Sequence, residues 1–235
     1  MPQAPPDVSS VPDLVVIFRG PSPADIATAT ERLLGVGYRA FEVSLTSPAA
    51  HEAIGLLARQ FGGEALIGAG TVRTVDDVNR VVDAGARMML SPLTDAPVIA
   101  AARAHCMLTV PGAFSPTEVA LAHGLGADLV KLFPAAPAGV DYLRLLREPF
   151  PDISFLVTGG IDARRANRFL RAGAASVGVG HKLLASRSLE ERDWPTLERR
   201  AARYFAIAHG EDPPPARAAR SPRPSRTPDR PEETA

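Results

Sequence analysis

The sequence predicts one (β/α)8 TIM barrel, on the basis of three observations. Short apolar, β-branched runs recur about every 20 to 25 residues. Helical patterns lie between these runs, and glycine, proline and ionisable residues fall where the runs end. Eight strand–helix alternations indicate parallel strands joined by crossover helices, and a closed eight-stranded barrel fits that count best. An open doubly wound sheet has the same periodicity and stays the alternative.

The predicted elements follow from local signals. Strands are predicted at Leu14–Phe18, Ala40–Leu45, Ala65–Gly68, Met88–Leu90, Met107–Val110, Leu129–Leu132, Ser154–Val157 and Ser176–Val179. Capping residues predict helix starts, with serine before proline at Ser22, Ser47 and Ser115 and other caps at Thr74 and Asp162. The order of these elements supports the barrel.

Composition excludes several classes of protein. The chain has 235 residues, of which 46% are hydrophobic and 22% charged, and this suffices for one sizeable core. The formal net charge is zero, which gives no electrostatic reason to expect nucleic acid or a membrane surface as a partner. No apolar run approaches the roughly 18 residues of a membrane span. The only cysteine, Cys106, cannot form an internal disulfide, so a cytoplasmic location is expected.

The two ends of the chain differ from its middle. Residues 1–12 are rich in Pro and Ser, and residues 211–235 are rich in Pro and Arg with almost no large apolar side chain. Such segments bury too little surface to offset the entropy of ordering, so a disordered arm and a disordered tail are predicted. The folded domain is predicted at residues 13–210, ending in a helix from Trp194 to Ala208.

Lys131 carries the strongest functional signal. It lies in the apolar segment Ala127–Pro134, where burying an ammonium is costly unless it is paired or neutralised. The chain has 26 Lys and Arg residues but only two lysines, so position 131 favours an amine over a guanidinium. An amine can lose its proton and attack a carbonyl, whereas a guanidinium effectively cannot. The alternative is a structural lysine whose head group reaches water or an acidic partner.

Glu42 is a second ionisable residue inside an apolar strand, in the segment Phe41–Leu45. If Glu42 and Lys131 face the same barrel mouth, they provide the groups for carbonyl chemistry. The neutral amine attacks a ketone, the resulting iminium accepts electrons, and the carboxylate moves protons. The alternative is a structural ion pair between Glu42 and a lysine or arginine.

Glycines after the last two strands predict a phosphate site. Gly159 and Gly160 follow the seventh strand, and Gly180 and His181 follow the eighth, where TIM barrels often bind phosphate through backbone N–H groups. The alternative is that these glycines only permit tight turns.

Two further residues that follow strands are candidates to hold a carboxylate. Arg19 offers a guanidinium and Thr71 a hydroxyl, and both groups suit a carboxylate. Their alternative roles are a surface salt bridge and a helix cap. The histidines have no ligand spacing, so no metal site is predicted.

Eight motifs follow one another in a specific order and spacing. They are FRG (Phe18–Gly20), FEVSLTSP (Phe41–Pro48), IGAGTV (Ile67–Val72), SPLTD (Ser91–Asp95), VPGAFSPTE (Val110–Glu118), LVKLFPA (Leu129–Ala135), TGGI (Thr158–Ile161) and VGVG (Val177–Gly180). Together they resemble the class I aldolases that cleave 2-keto-3-deoxy-6-phosphogluconate, 4-hydroxy-2-oxoglutarate or 2-keto-3-deoxy-6-phosphogalactonate. The resemblance covers about Leu14 to Ala208 and implies a cytoplasmic homotrimer that needs no metal or other cofactor.

The resemblance also implies a role for each matching position. Lys131 is implied as the Schiff-base lysine and Glu42 as the general acid/base. The implied substrate-binding residues are Arg19, Thr71, Pro111, Gly112, Phe133 and Thr158, and the implied phosphate-binding residues are Gly159, Gly160, Gly180 and His181. His181 stands where the family commonly has serine. Thr46 and Thr158 give conflicting indications between gluconate-type and galactonate-type substrates.

The predicted function is a metal-independent retro-aldol lyase. Its substrate is expected to be a 2-keto-3-deoxy-6-phospho sugar acid, split into pyruvate and glyceraldehyde 3-phosphate. One alternative is a thiamine-phosphate-synthase-like or phosphoribosyl-isomerase-like barrel, which keeps the glycines but needs no lysine at position 131. A weaker alternative is a barrel that only binds a sugar phosphate while its arginine-rich tail recruits a partner.

Overall fold

Strands and helices alternate throughout the computed structural model, which describes Val8, residues 11–184 and residues 189–211. The strands are β1 (Leu14–Phe18), β2 (Ala40–Ser44), β3 (Leu66–Gly70), β4 (Met88–Leu90), β5 (Leu108–Val110), β6 (Gly112–Ala113), β7 (Val130–Leu132), β8 (Phe155–Thr158) and β9 (Ser176–Val179). The helices are α1 (Pro23–Val36), α2 (Ala50–Phe61), α3 (Val75–Asp83), α4 (Ala96–Ala104), α5 (Pro116–Gly124), α6 (Ala135–Arg147), α7 (Ala163–Arg171), α8 (His181–Leu184) and α9 (Trp194–His209). None of the helices in these ranges is long and apolar enough to cross a membrane. The predicted disordered arm and tail fall almost entirely outside the described residues.

The strands form a parallel barrel. Their order is β5-β4-β3-β2-β1-β9-β8-β7-β6. Because β5 and β6 are consecutive pieces of one strand, this order closes on itself. The strand is split at Pro111, which has no N–H to continue the ladder, although its carbonyl still accepts a bond from Lys131 N at 2.8 Å. The predicted TIM barrel is confirmed, and its fifth strand continues beyond the predicted end at Val110 as the short strand β6.

The interior of the barrel changes from apolar to polar along the barrel axis. Alternate residues of each strand point inward. An apolar cluster lies near the N-terminal ends of β1 and β2 and extends to the last residues of β4 and β5. Its members are Val15, Ala40, Met88, Leu90, Leu108, Val110, Leu129 and Leu156, and Val8 and Val11 pack against it. One step further along the strands, the register places Glu42, Lys131 and Thr158 on the same inward face. The polar residues therefore meet at the C-terminal end of the barrel.

Most of the predicted helix starts are confirmed. Side-chain caps are present at Ser22, Thr74, Ser115 and Asp162. The prediction for Ser47 is wrong, because α2 begins after Ala49, which has a left-handed backbone and makes no side-chain cap. The Ser47 hydroxyl instead accepts a hydrogen bond from Gly20 N at 3.0 Å. This bond ties the loop after β2 to the loop after β1 at the mouth of the barrel.

Candidate active site

A cavity of about 590 Å³ opens at the C-terminal ends of the strands. Ten predicted site residues line it, namely Arg19, Glu42, Thr71, Lys131, Phe133, Thr158, Gly159, Gly160, Gly180 and His181. Pro111 and Gly112 are not in this lining. Gly112 instead packs on the backbone of Pro92, whose carbonyl carbon would lie 2.4 Å from an added Cβ, and Pro92 itself lines the cavity. Gly112 thus supports the wall rather than forming it.

Lys131 reaches the cavity from β7, deep inside the barrel. Lys131 is only 6% exposed, and its Nζ lies 5.6 Å from the centre of the Phe133 ring. Among the described residues, no carboxylate forms an ion pair with this amine. The amine is therefore buried beside an aromatic face and directed at the cavity, which disfavours the alternative of a structural salt bridge.

Glu42 enters the same cavity from β2 and depends on glycine in the neighbouring strand. An added Cβ on Gly70 of β3 would lie 1.6 Å from Glu42 Oε1, so the carboxyl group occupies the space that a side chain there would fill. Glu42 is 2% exposed, and its Oε2 has no hydrogen-bond partner among the described residues. A buried acceptor without a partner points to a group that serves a ligand.

The electrostatic environment of Glu42 suits proton transfer. Burial raises the pKa of the Glu42 carboxyl above its ordinary value, and the positive charges of Lys131 and Arg19 offset part of that rise. A raised pKa lies closer to neutral pH, at which a general acid/base must both release and accept a proton. Glu42 is therefore equipped for the role predicted from the sequence.

Hydroxyl groups line the wall beside Glu42. Ser44 Oγ lies 2.8 Å from Thr46 Oγ1 and 3.0 Å from Thr71 Oγ1, which links the three side chains. Thr71 has a φ of 63°, a left-handed conformation that is costly for a β-branched residue. This strained residue lies at the edge of the cavity. Thr158, on the far wall, donates to the Gly178 carbonyl at 3.1 Å.

The glycine loop after β8 brings its backbone close to Phe133. Gly159 and Gly160 have φ values of 100° and 76°, which favour glycine. An added Cβ on Gly159 would lie 3.0 Å from the Phe133 ring, and one on Gly160 would lie 2.9 Å from Ala136 Cβ. Both positive φ and close packing therefore require glycine here, and the loop presents main chain rather than side chains to the cavity.

Lys182, Ser44 and the role of Thr46 as a lining residue were not predicted from the sequence. Lys182 and Thr46 line the cavity, and Ser44 holds Thr46 and Thr71 together. A signal for Lys182 was present, since it is one of two lysines in the chain. With Arg19, Lys131 and Lys182 against the single carboxyl of Glu42, the lining favours an anionic ligand.

Comparison with known proteins identifies the family. A family model described as KDPG and KHG aldolase matches residues 10–200. This chain belongs to the KDPG and KHG aldolase family. Aldolases of this kind are carbon–carbon lyases, so the predicted enzyme class is confirmed.

Individual relatives agree with the family assignment over nearly their whole length. The probable 2-dehydro-3-deoxy-6-phosphogalactonate aldolase of Rhizobium meliloti (strain 1021) is 32% identical over 203 residues, which are 84% of this aldolase and 94% of the relative. A native KDPGal structure matches with a TM-score of 0.79 and 28% identity, covering 86% of this aldolase and 96% of that chain. KDPG aldolase from Legionella pneumophila, with pyruvate captured as a covalent carbinolamine, matches with a TM-score of 0.77 and 30% identity, covering 83% and 95%.

Proposed function

We propose that this aldolase cleaves a 2-keto-3-deoxy-6-phospho sugar acid to pyruvate and glyceraldehyde 3-phosphate through a Schiff base on Lys131. One observation carries the proposal. The Lys131 amine and the Glu42 carboxyl are both buried, both line one cavity, and neither is engaged in an ion pair among the described residues. The Legionella relative, which has been captured with pyruvate as a carbinolamine, supports covalent chemistry in this family.

The proposed reaction proceeds through a covalent bond between Lys131 and the substrate. After losing its proton, Lys131 Nζ attacks the C2 ketone to give a carbinolamine, which takes up a proton and loses water to become an iminium. Glu42 takes the proton of the C4 hydroxyl, the C3–C4 bond breaks, and its electron pair moves to the iminium nitrogen to give an enamine. The aldehyde leaves. The Glu42 carboxyl returns the proton to C3, and water hydrolyses the iminium to free pyruvate and Lys131.

The two ends of the substrate match the two ends of the cavity. Arg19 and Thr71 hold the carboxylate of the keto acid, since a guanidinium and a hydroxyl both suit it. The backbone N–H groups around Gly159, Gly160 and Gly180 receive the phosphate. Phe133, Thr158 and His181 line the space around these groups. Cleavage assays with both C4 epimers decide between gluconate-type and galactonate-type substrates.

Reductive trapping tests the proposal directly. Pyruvate and borohydride are expected to add one reduced adduct, located on Lys131 by peptide mapping. The assignment is simple because the chain offers only two lysines. The Lys182→Ala variant is the matched control and is expected to keep the adduct. If the folded wild-type protein gives no adduct, or the adduct lies on Lys182, the Schiff-base proposal is wrong.

Gly70→Ala is expected to lower kcat by about 100-fold or more, because the new methyl displaces the Glu42 carboxyl from its position. The barrel is expected to stay folded, since the displaced group is the end of a side chain. The measurement is kcat together with the melting temperature. Gly35→Ala, at a position in α1 where an added Cβ meets nothing within 4 Å, is the control and should keep full activity. Equal kcat in the two variants would contradict the placement of Glu42.

We also propose that the aldolase is a homotrimer in the cytoplasm. Val75, Leu93 and Phe114 are 41%, 41% and 39% exposed. They follow β3, its neighbour β4, and β6, which continues β5, the other neighbour of β4. Exposed apolar residues on adjacent loops support association between copies. Light scattering is expected to give three times the chain mass, and Leu93→Glu is expected to shift the protein toward monomers. A monomeric wild type would exclude the trimer. The single cysteine supports the cytoplasmic location.

A further inference from the structure

Both lysines of the chain line the same cavity. The other 24 Lys and Arg positions are all arginine, so every lysine of the chain lies at this site. Lys131 is buried near the centre of the barrel, whereas Lys182 is exposed on α8, directly after Gly180 and His181. Lysine is therefore present both where a nucleophile is needed and at the glycine-rich end of the cavity.

Within residues 11–184 and 189–211, Lys182 has no protein partner that would explain its position. In the described ranges, neither a hydrogen bond nor an ion pair engages its ammonium group. Many surface cations of this chain do have such partners, including Arg32, Arg80, Arg144 and Arg192. An ammonium without a protein partner at the rim of a cavity can serve an anionic ligand.

The phosphate end of the proposed substrate needs a cation. A phosphate monoester carries a charge of about −1.5 to −2 near neutral pH. The backbone N–H groups of the glycine loops supply dipoles but no full positive charge. Gly159 and Gly160 follow β8, Lys182 follows β9, and these two strands are neighbours, so all three residues belong to one end of the cavity. The charges of Lys131 and Arg19 both act on Glu42, and Lys131 is also used by the chemistry.

We infer that Lys182 binds the phosphate of the substrate and makes the aldolase selective for phosphorylated over unphosphorylated keto acids. The inference rests on the proposed function and deepens it by naming the side chain that recognises the phosphate. An ammonium is a compact charge that binds phosphate without a fixed geometry, so arginine should replace it in part. Lys182 acts on substrate affinity and does not take part in bond cleavage.

Steady-state kinetics test this role. Lys182→Ala is expected to raise KM for the phosphorylated keto acid about tenfold with little change in kcat, which is the loss expected for one charged hydrogen bond. For the unphosphorylated keto acid of the same configuration, kcat/KM is expected to change less than about twofold. Lys182→Arg should recover most of the KM. Competitive inhibition by inorganic phosphate should weaken in parallel in Lys182→Ala.

Controls separate this inference from the proposed function. Arg171→Ala removes an exposed cation at the end of α7, outside the cavity, and should leave both substrates unaffected. Pyruvate trapping on Lys131 is measured in the same preparations. If trapping succeeds but Lys182→Ala affects both substrates equally, or neither, the role of Lys182 is wrong while the aldolase mechanism stands. If trapping fails in the wild type, the proposed function itself falls.

Discussion

Lys131→Ala is expected to lower kcat for aldol cleavage by about four orders of magnitude or more. Without this amine no iminium forms at the deep end of the cavity beside Glu42, so the electrons of the C3–C4 bond have no acceptor there. The measurement is the release of pyruvate, followed by its enzymatic reduction and the loss of NADH absorbance. Activity near that of the wild type would exclude the Schiff-base mechanism.

Two further variants show that this loss comes from chemistry and not from packing. The stem of Lys131 fills part of the barrel interior, where the residue is 6% exposed. Lys131→Met keeps most of that volume and removes the buried charge, so it should be equally inactive with an unchanged or higher melting temperature. Lys182→Met removes the other lysine and should still form the pyruvate adduct. A stable and active Lys131→Met enzyme would contradict the proposed role of the amine.

Glu42→Gln is expected to lower kcat by about 10²- to 10⁴-fold while pyruvate trapping on Lys131 is retained. The amide has nearly the shape of the carboxyl but cannot take the C4 hydroxyl proton or return a proton to C3. Imine formation needs the amine, so the adduct should survive. The test compares single-turnover cleavage with the yield of reduced adduct. Unchanged cleavage kinetics would remove Glu42 from the proton transfers.

The same variant should also change how stability depends on pH. Because burial raises the pKa of the Glu42 carboxyl above its ordinary value of 4.5, the native state keeps the proton at pH values where the unfolded state has lost it. The wild type therefore loses stability as the pH rises above 4.5 and through the raised pKa. Glu42→Gln lacks this loss, so its melting temperature relative to the wild type should increase from pH 5 to pH 8. For a chain of this size, 1 kcal/mol corresponds to about 2–4 °C. A pH-independent difference would refute the assigned shift.

The sequence predicted the barrel well because periodicity is a local property. The runs Leu14–Phe18, Met88–Leu90 and Ser176–Val179 are strands with the predicted bounds. Pro111 was not recognised as an interruption of the fifth strand. The cap predicted at Ser47 failed for a different reason, since its hydroxyl bonds Gly20, which is 27 positions away in the chain. Contacts between loops of different strands are not encoded in local patterns.

The residues of the candidate site, like the elements of the fold, were only partly predictable from the sequence. Lys131 and Glu42 were predictable because a charge inside an apolar strand is unusual in sequence. Ser44 was not, because an isolated serine at the end of a strand is ordinary until the fold brings Thr46 and Thr71 to it. Lys182 lies between these cases, because its rarity was visible in the composition but its position at the cavity was not.

The apolar cluster inside the barrel lies behind the site, and within the described residues the cavity opens at the C-terminal ends of the strands. Under the proposed mechanism, pyruvate is attached to Lys131 at the deep end, and the phosphorylated aldehyde lies between it and solvent. The aldehyde must then depart before water can reach the iminium, and in the direction of synthesis pyruvate must enter first. A site that opens at one end of the barrel in this way determines the order of ligand binding and release without a conformational change.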